Sequence, residues 1–106
     1  MTPEGKVKAA INKMLNVEFG PHVFRYMPVP SGFGSAGLDY FLCVGGMFVA
    51  VEAKAPGKSP TDRQAVTAHM IYRAGGRTFY VDGPEALEEL RLFLKSIIKR
   101  KKRAVL

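Results

Sequence analysis

Apolar residues recur with helical spacing in three stretches of the chain. In the first stretch, Val7, Ile11 and Met14 lie on one predicted helix face, together with Ala10 and Leu15. This i, i+3, i+4 spacing is typical of a helix that buries one side against a core. The second stretch stops at a pair of glycines and the third opens at a proline, as helix ends and helix starts often do. The predicted helices cover residues 3–20, residues 61–74, and the chain from residue 84 onwards.

Four shorter stretches are rich in β-branched and aromatic residues and predict strands. They cover residues 22–29, 38–44, 47–54 and 77–81, and Gly45-Gly46 between the second and third is the signal of a two-residue hairpin. Strand three, helix two and strand four form a β-α-β crossover, so strands three and four should be parallel, whereas the first three strands form an antiparallel meander. Because Leu42 and Val44 alternate with Phe41 and Cys43, we expect both sheet faces to be buried, with Cys43 as a packing residue.

The element order αβββαβα predicts an α/β fold with a mixed four-stranded sheet flanked by helices. The 106 residues suffice for one domain, and 47% of them are hydrophobic. We divide the chain into a folded domain at residues 1–98 and a basic C-terminal tail at residues 99–106. No apolar run approaches the roughly 20 residues of a membrane span, and the first residues lack the apolar stretch of a secretory signal. We therefore expect a cytoplasmic protein with no membrane partner.

The charge balance favours a polyanionic partner such as nucleic acid. The chain has 16 Lys and Arg against 9 Asp and Glu, which gives a formal net charge of +7. The basic run Lys99-Arg100-Lys101-Lys102-Arg103 carries five of the positive charges and lies in the predicted tail. Runs of this kind are also common at solvated chain ends, so this feature by itself leaves both interpretations open.

Three charged residues interrupt the apolar strands: Asp39, Glu52 and Lys54. A two-residue turn at Gly45-Gly46 pairs residues whose numbers sum to 91, so Asp39 faces Glu52 across the hairpin. Such partners have Cβ atoms about 4.5–5.5 Å apart, and Lys54 points to the same side as Glu52. Opposed carboxylates in a half-dry site repel each other, and a divalent cation such as Mg²⁺ would compensate them. The alternative is a salt-bridge cluster at a strand end, and a β-bulge would change the register.

The same residues resemble those of a known enzyme family. Asp39, followed after about a dozen residues by Glu52-Ala53-Lys54, is similar to the D…E-x-K signature of the PD-(D/E)xK nuclease superfamily, whose restriction-endonuclease-like core has the order αβββαβ. Further motifs narrow the resemblance to the VRR-NUC family, in particular to its small stand-alone phage and prophage members. These motifs are TPEGKVK at 2–8, SAGLD at 35–39, EAKAP at 52–56, PTDRQ at 60–64 and RAGG at 73–76. Leu38 stands where many members have Pro before the Asp, and this residue is not itself a ligand.

The resemblance implies a metal site on the central hairpin. Asp39 and Glu52 would hold Mg²⁺ or Mn²⁺, with the Ala53 carbonyl as a further ligand. Lys54 would position or activate the attacking water and stabilise the phosphorane-like charge. These roles agree with the needs of phosphodiester hydrolysis, which requires a metal to polarise the phosphoryl oxygen and a cation near the developing charge.

Two further residues acquire catalytic roles through the resemblance. Glu4 falls where the family has an acidic residue near the metal site, and Gln64 falls where it has a glutamine that supports the lysine or the substrate. The alternative for Glu4 is stabilisation of the helix dipole, with Glu18 as a rival acid. The alternative for Gln64 is a solvent-facing position on its helix.

The resemblance implies a metal-dependent DNA endonuclease that prefers branched DNA, as a Holliday junction resolvase does, and works as a homodimer in a bacterial cell or a phage-infected host. The candidate DNA-binding residues are Ser35, Lys58, Arg63, Lys99, Arg100 and Lys101. Two alternatives stay open: a non-catalytic DNA-binding module of the same fold, and a nuclease that acts on flap, nicked or linear duplex DNA. The apolar stripe of the last helix could serve the core or a dimer contact.

Overall fold

The computed structural model of the protein describes residues 1–28 and 38–105, and the side chains up to residue 101 within those ranges. Within them, the chain forms an α/β fold of three α-helices and a four-stranded sheet. The elements are α1 (Pro3–Met14), β1 (Phe24–Tyr26), β2 (Tyr40–Val44), β3 (Met47–Ala53), α2 (Asp62–Arg73), β4 (Arg77–Val81) and α3 (Pro84–Val105). A π-helical turn at Leu15–Phe19 extends α1, and a short 3₁₀ turn at Gly20–His22 follows it.

The sheet has the strand order β1-β2-β3-β4 and is mixed, as predicted. The first three strands form an antiparallel meander, and β4 lies parallel to β3 after the α2 crossover. The register from Val44 opposite Met47 to Tyr40 opposite Val51 confirms the pairing inferred from the glycine turn. Gly45 and Gly46 have φ values of 56° and 82°, the left-handed conformations that a type I′ hairpin turn requires.

The first strand is shorter than the sequence pattern indicates. Only Phe24–Tyr26 of the predicted strand 22–29 pairs with β2, and His22 lies in the 3₁₀ turn instead. Aromatic and β-branched content does not distinguish a paired strand from the extended chain that leads into it, so the prediction ran too long at both ends. Residues 29–37, which include the last residue of the predicted strand, lie outside the described residues.

Helices α1 and α3 cover one face of the sheet and form the core with it. Val7, Ile11 and Met14 of α1 and Leu90 and Leu94 of α3 pack with the buried sheet side chains of Tyr40, Leu42, Val44, Val49 and Val51. The ring centroids of Phe79 in β4 and Phe93 in α3 lie 5.0 Å apart. The apolar stripe of the last helix, which the sequence assigned to either core or dimer, is therefore used in the core at Leu90, Leu94 and Ile97.

Helix α2 covers the other face only over β3 and β4, which corrects the expectation that both faces are buried. Among the described residues nothing covers this face on β1 and β2, where Phe24 is 71% exposed, Tyr26 is 59% exposed and Cys43 is exposed. On β3, Phe48 is 44% exposed. Alternating apolar residues show that a strand could be covered on two sides, but they do not show that a helix is present to cover the second. Cys43 is therefore not a buried packing residue.

The last helix runs farther than the predicted domain. The backbone from residue 99 to residue 105, which the sequence set apart as a tail, continues α3 without a break. Its acidic residues lie in its first turns, at Glu85, Glu88 and Glu89, and its basic run closes the helix. Within residues 1–28 and 38–105, no helix combines the length and the apolar content that crossing a bilayer demands.

The two glycines of the hairpin turn should differ in their tolerance of a side chain. We expect Gly46→Ala to lower the free energy of unfolding by about 1–2 kcal/mol, the cost of a left-handed alanine. A Cβ at Gly45 would also lie 2.7 Å from Ile97 Cγ2, so Gly45→Ala should lose about 1–3 kcal/mol more through overpacking. Urea denaturation of the two variants measures this difference, and equal losses would contradict the packing of α3 on the turn.

Candidate active site

The hairpin places the carboxylates of Asp39 and Glu52 opposite each other where the β2–β3 ladder ends. Asp39 directly precedes β2, and its backbone N–H donates to Glu52 Oε1 at 3.1 Å. In return, Asp39 Oδ2 accepts a hydrogen bond of 2.8 Å from the Ala53 N–H. Each acidic side chain thus accepts a hydrogen bond from a backbone N–H of the neighbouring strand, and these two bonds extend the β2–β3 ladder by one residue pair. The predicted opposition of the two residues is confirmed.

Glu52 is a buried acid with several polar neighbours. It is 5% exposed, and its Oε2 accepts a hydrogen bond from Gln64 Nε2 and lies 3.7 Å from Lys54 Nζ. Burial, and after it the nearby Asp39, raises the pKa of Glu52 to about 8, although the Lys54 charge works in the opposite direction. The charged form of Glu52 is therefore costly here, and an additional cation would lower that cost.

Gln64 takes part both in the N-terminal cap of α2 and in a hydrogen bond to Glu52. Thr61 is the N-cap of the helix and its side chain accepts from the Gln64 N–H, while Gln64 Oε1 accepts from the Thr61 N–H at 3.0 Å. This capping box fixes the side chain so that its Nε2 donates to Glu52. The Tyr80 hydroxyl also donates to the Gln64 carbonyl at 3.2 Å. Gln64 is buried beside Glu52 and does not take the alternative, solvent-facing position.

A lysine that the sequence reasoning missed connects Glu4 to the carboxylate pair. Lys8 Nζ lies 3.4 Å from Asp39 Oδ1 and 3.8 Å from Glu4 Oε2. Glu4 therefore reaches the site through Lys8. The spacing of Glu4 and Lys8 at i, i+4 on one helix face was the available signal, because it places the two side chains side by side. Glu18, the rival acid, pairs with Arg91 and Lys95 on α3 instead.

The candidate DNA-binding residues are spread over the molecule. Lys58 lies in the loop after β3 and Arg63 in the first turn of α2, and both are exposed. Lys99, Arg100 and Lys101 lie on the last turns of α3 and are also exposed. Ser35 lies outside the described residues.

The donor set fits a small, hard cation that keeps part of its water shell. Within the part of the chain that the structure describes, no three His, Cys, Asp or Glu side chains come together as a ready metal cluster. Asp39 and Glu52 supply two carboxylates, and Ala53 between Glu52 and Lys54 supplies a backbone carbonyl. Mg²⁺ and Mn²⁺ are commonly held by one or two carboxylates together with water and substrate oxygens, so a third acid is not required.

Comparison of the chain with protein-family models, with curated proteins and with solved structures found no match.

Binding of a divalent cation should stabilise the protein through Asp39. We expect Mg²⁺ or Mn²⁺ to raise the melting temperature, since a ligand at about 100 times its Kd adds about 2.7 kcal/mol. Asp39→Asn keeps the size of the side chain and an acceptor for the Ala53 N–H but removes the charge, so the shift should disappear. Glu89→Gln, the same chemical change at an exposed position of α3, should keep it. Differential scanning fluorimetry checks both, and equal shifts would contradict the site.

The hydrogen bond from Gln64 to Glu52 can be separated from the helix cap. Thr61→Ala removes the capping hydroxyl and should cost about 1 kcal/mol of unfolding free energy. Gln64→Ala keeps that hydroxyl bond but removes the acceptor of the Thr61 N–H and leaves an oxygen of the buried Glu52 without its donor, so it should cost about 1–3 kcal/mol more. Denaturant unfolding of the two variants gives the difference, and a Gln64→Ala variant as stable as Thr61→Ala would show that the bond to Glu52 contributes little.

Proposed function

We propose that this protein is a metal-dependent DNA endonuclease of the VRR-NUC type, with a restriction-endonuclease-like core, acting in the cytoplasm of a bacterial or phage-infected cell. The observation that carries the proposal is the cluster of Asp39, Glu52 and Lys54 at the end of the central hairpin. A salt-bridge cluster alone would be a costly use of a buried acid whose pKa is raised, because such pairs seldom add stability. The motifs around the three residues agree with the same activity.

The cation would be held by Asp39, Glu52 and the Ala53 carbonyl. When bound, it supplies polarisation of the scissile phosphate and activation of water for attack. The geometry of the chain prepares this role, since the reciprocal hydrogen bonds of Asp39 and the contact from Gln64 fix both carboxylates before any ligand arrives. Gln64 is a positioning residue in this scheme, because it acts through Glu52.

Lys54 contributes a fixed positive charge beside the reacting phosphate. Its side chain is only 12% exposed and its ammonium lies 3.7 Å from Glu52 Oε2, so the position of the ammonium is largely fixed before the reaction begins. From that position it donates a hydrogen bond to the attacking water or to a phosphoryl oxygen as negative charge develops. Lys8, which bridges Glu4 and Asp39, adds a second positive charge on the α1 side of the site.

The proposed substrate is branched DNA, and the proposed active form is a homodimer. Two active sites would allow paired cuts in a four-way junction, and one domain of this size offers little surface for DNA beyond its own site. The open sheet face at Phe24, Tyr26 and Phe48 supports a subunit contact, because a contiguous apolar surface of this kind is typical of protein interfaces. Light scattering over a concentration series tests the dimer, and a mass that stays at 11.6 kDa would contradict it.

Cleavage of a labelled four-way junction and of a matched linear duplex, in Mg²⁺, Mn²⁺ or EDTA, tests the proposed activity. We expect paired, metal-dependent cuts in the junction. Lys54→Ala should lower the rate at least about 100-fold, the scale of removing one transition-state donor. Lys13→Ala, which removes an exposed lysine of α1, should leave the rate unchanged.

The other outcomes of this experiment favour the two alternatives. Equal cutting of junction and duplex would keep the nuclease and remove the preference for branches. Tight DNA binding without cleavage in either metal would indicate a non-catalytic binding module.

A further inference from the structure

Charge is unevenly distributed between the two ends of the sheet. The site end is where β3 and β4 finish, and the turn end is where the Gly45-Gly46 and Gly75-Gly76 turns lie. Six of the nine carboxylates lie at the site end, on Glu4, Asp39, Glu52, Asp62, Asp82 and Glu85. The segments that form the turn end, residues 43–49, 70–79 and 97–105, contain none.

The end of α3 supplies the basic side chains at the turn end. A Cβ on Gly45 would lie 2.7 Å from Ile97 Cγ2 and 3.6 Å from Lys101 Cβ. Lys101 therefore follows Leu90, Leu94 and Ile97 on the inner side of the helix, but it lies over the turn, beyond the apolar core. Together with Arg100, Gly45, Met47 and Ile97 it lines an open recess of about 370 Å³.

Within the described residues, the basic side chains of Lys99, Arg100 and Lys101 form no ion pair with the rest of the domain. Arg91 and Lys95, earlier on α3, pair with Glu18. Among the described residues, by contrast, no carboxylate lies within 4.0 Å of the charged nitrogens of Lys99, Arg100 or Lys101. Favourable contact with the helix dipole explains a cation or two in a last turn, but not a run of five.

The distance between the two ends limits what one ligand can reach. Strand β3 runs from Met47 at the turn end to Ala53 at the site end, a rise of about 20 Å at 3.3 Å per residue. Along a DNA strand in a duplex, this distance corresponds to about six nucleotides at 3.4 Å each. Helix α3 extends about 12 Å past Ile97 at 1.5 Å per residue.

We infer that the C-terminal turns of α3, with Arg100 and Lys101 over the Gly45 turn, form a second phosphate-binding surface that holds the duplex flank of the DNA substrate. This inference rests on the proposed function and names a further feature of its substrate. The surface contacts phosphates at least about six nucleotides from the one that is cut. A substrate with a shorter flank is bound by the site end alone.

Affinity as a function of flank length and salt tests this surface. We would measure fluorescence anisotropy in EDTA with junctions whose hairpin-closed arms extend about 4, 8 or 16 base pairs. The protein should bind the two longer arms about tenfold more tightly than the shortest. The Arg100→Gln/Lys101→Gln variant should lose this dependence on length, and the slope of log affinity against log salt should fall by about 2.

A matched variant controls for the change in net charge. Lys13→Gln/Lys95→Gln also removes two exposed positive charges from helices, and it should keep both the dependence on arm length and most of the salt slope. Circular dichroism verifies that both variants are folded.

Each remaining outcome overturns the inference in a recognisable way. An unchanged affinity in Arg100→Gln/Lys101→Gln, an equal loss for all arm lengths, or the same loss in the control would exclude a distal phosphate surface, whether or not the protein cuts DNA. Absence of DNA binding by the unchanged protein would overturn the proposed function as well. Cleavage that no longer depends on Lys54 would affect the proposed function alone.

Discussion

Two carboxylates face each other in this protein because a turn of two glycines fixes the register of its central hairpin. The left-handed conformations of Gly45 and Gly46 set the pairing of β2 with β3, and that pairing carries Asp39 to a position opposite Glu52. A shift of one residue would turn Asp39 to the other face of the sheet. The position of the proposed cation therefore depends on a turn at the opposite end of the same hairpin.

The fold supports a buried acid by surrounding it with donors that already belong to the framework. The Asp39 N–H extends the strand ladder and the Gln64 side-chain amide belongs to a helix cap. Both groups donate hydrogen bonds to the Glu52 carboxylate. Lys54 directly follows β3, and its ammonium lies 3.7 Å from Glu52 Oε2. These contacts reduce the cost of burial but do not remove it, as the raised pKa of Glu52 shows. An arrangement of this kind is prepared for a positively charged ligand before the ligand binds.

Local signals in the sequence were enough to predict most of the fold and the centre of the site. Helix end signals, the glycine turn and the crossover gave the element order, and the two-residue length of the turn predicted that Glu52 lies opposite Asp39. The contact between Lys8 and Asp39 could not be predicted, because it depends on how α1 lies across the end of the sheet. The exposure of Phe24 and Cys43 was missed for a related reason: an apolar pattern does not report the width of the helix layer above it. The continuation of α3 through residues 99–105 was also not predicted, because a basic run is compatible with both a helix and an extended chain end.

The turn end carries only positive side chains while the site end carries charges of both signs, so the charge of the domain is distributed asymmetrically along the sheet, as in a dipole. In the field of a polyanion, such a dipole experiences a torque that turns its positive end toward the ligand before any contact is made. If the ligand is the proposed DNA, the carboxylates of the site end would arrive last, when the phosphates already lie along the protein and a cation could screen the repulsion. Orientation during approach would thus be a property of the whole domain, set by where its charges lie along the strands and not by the chemistry of the site.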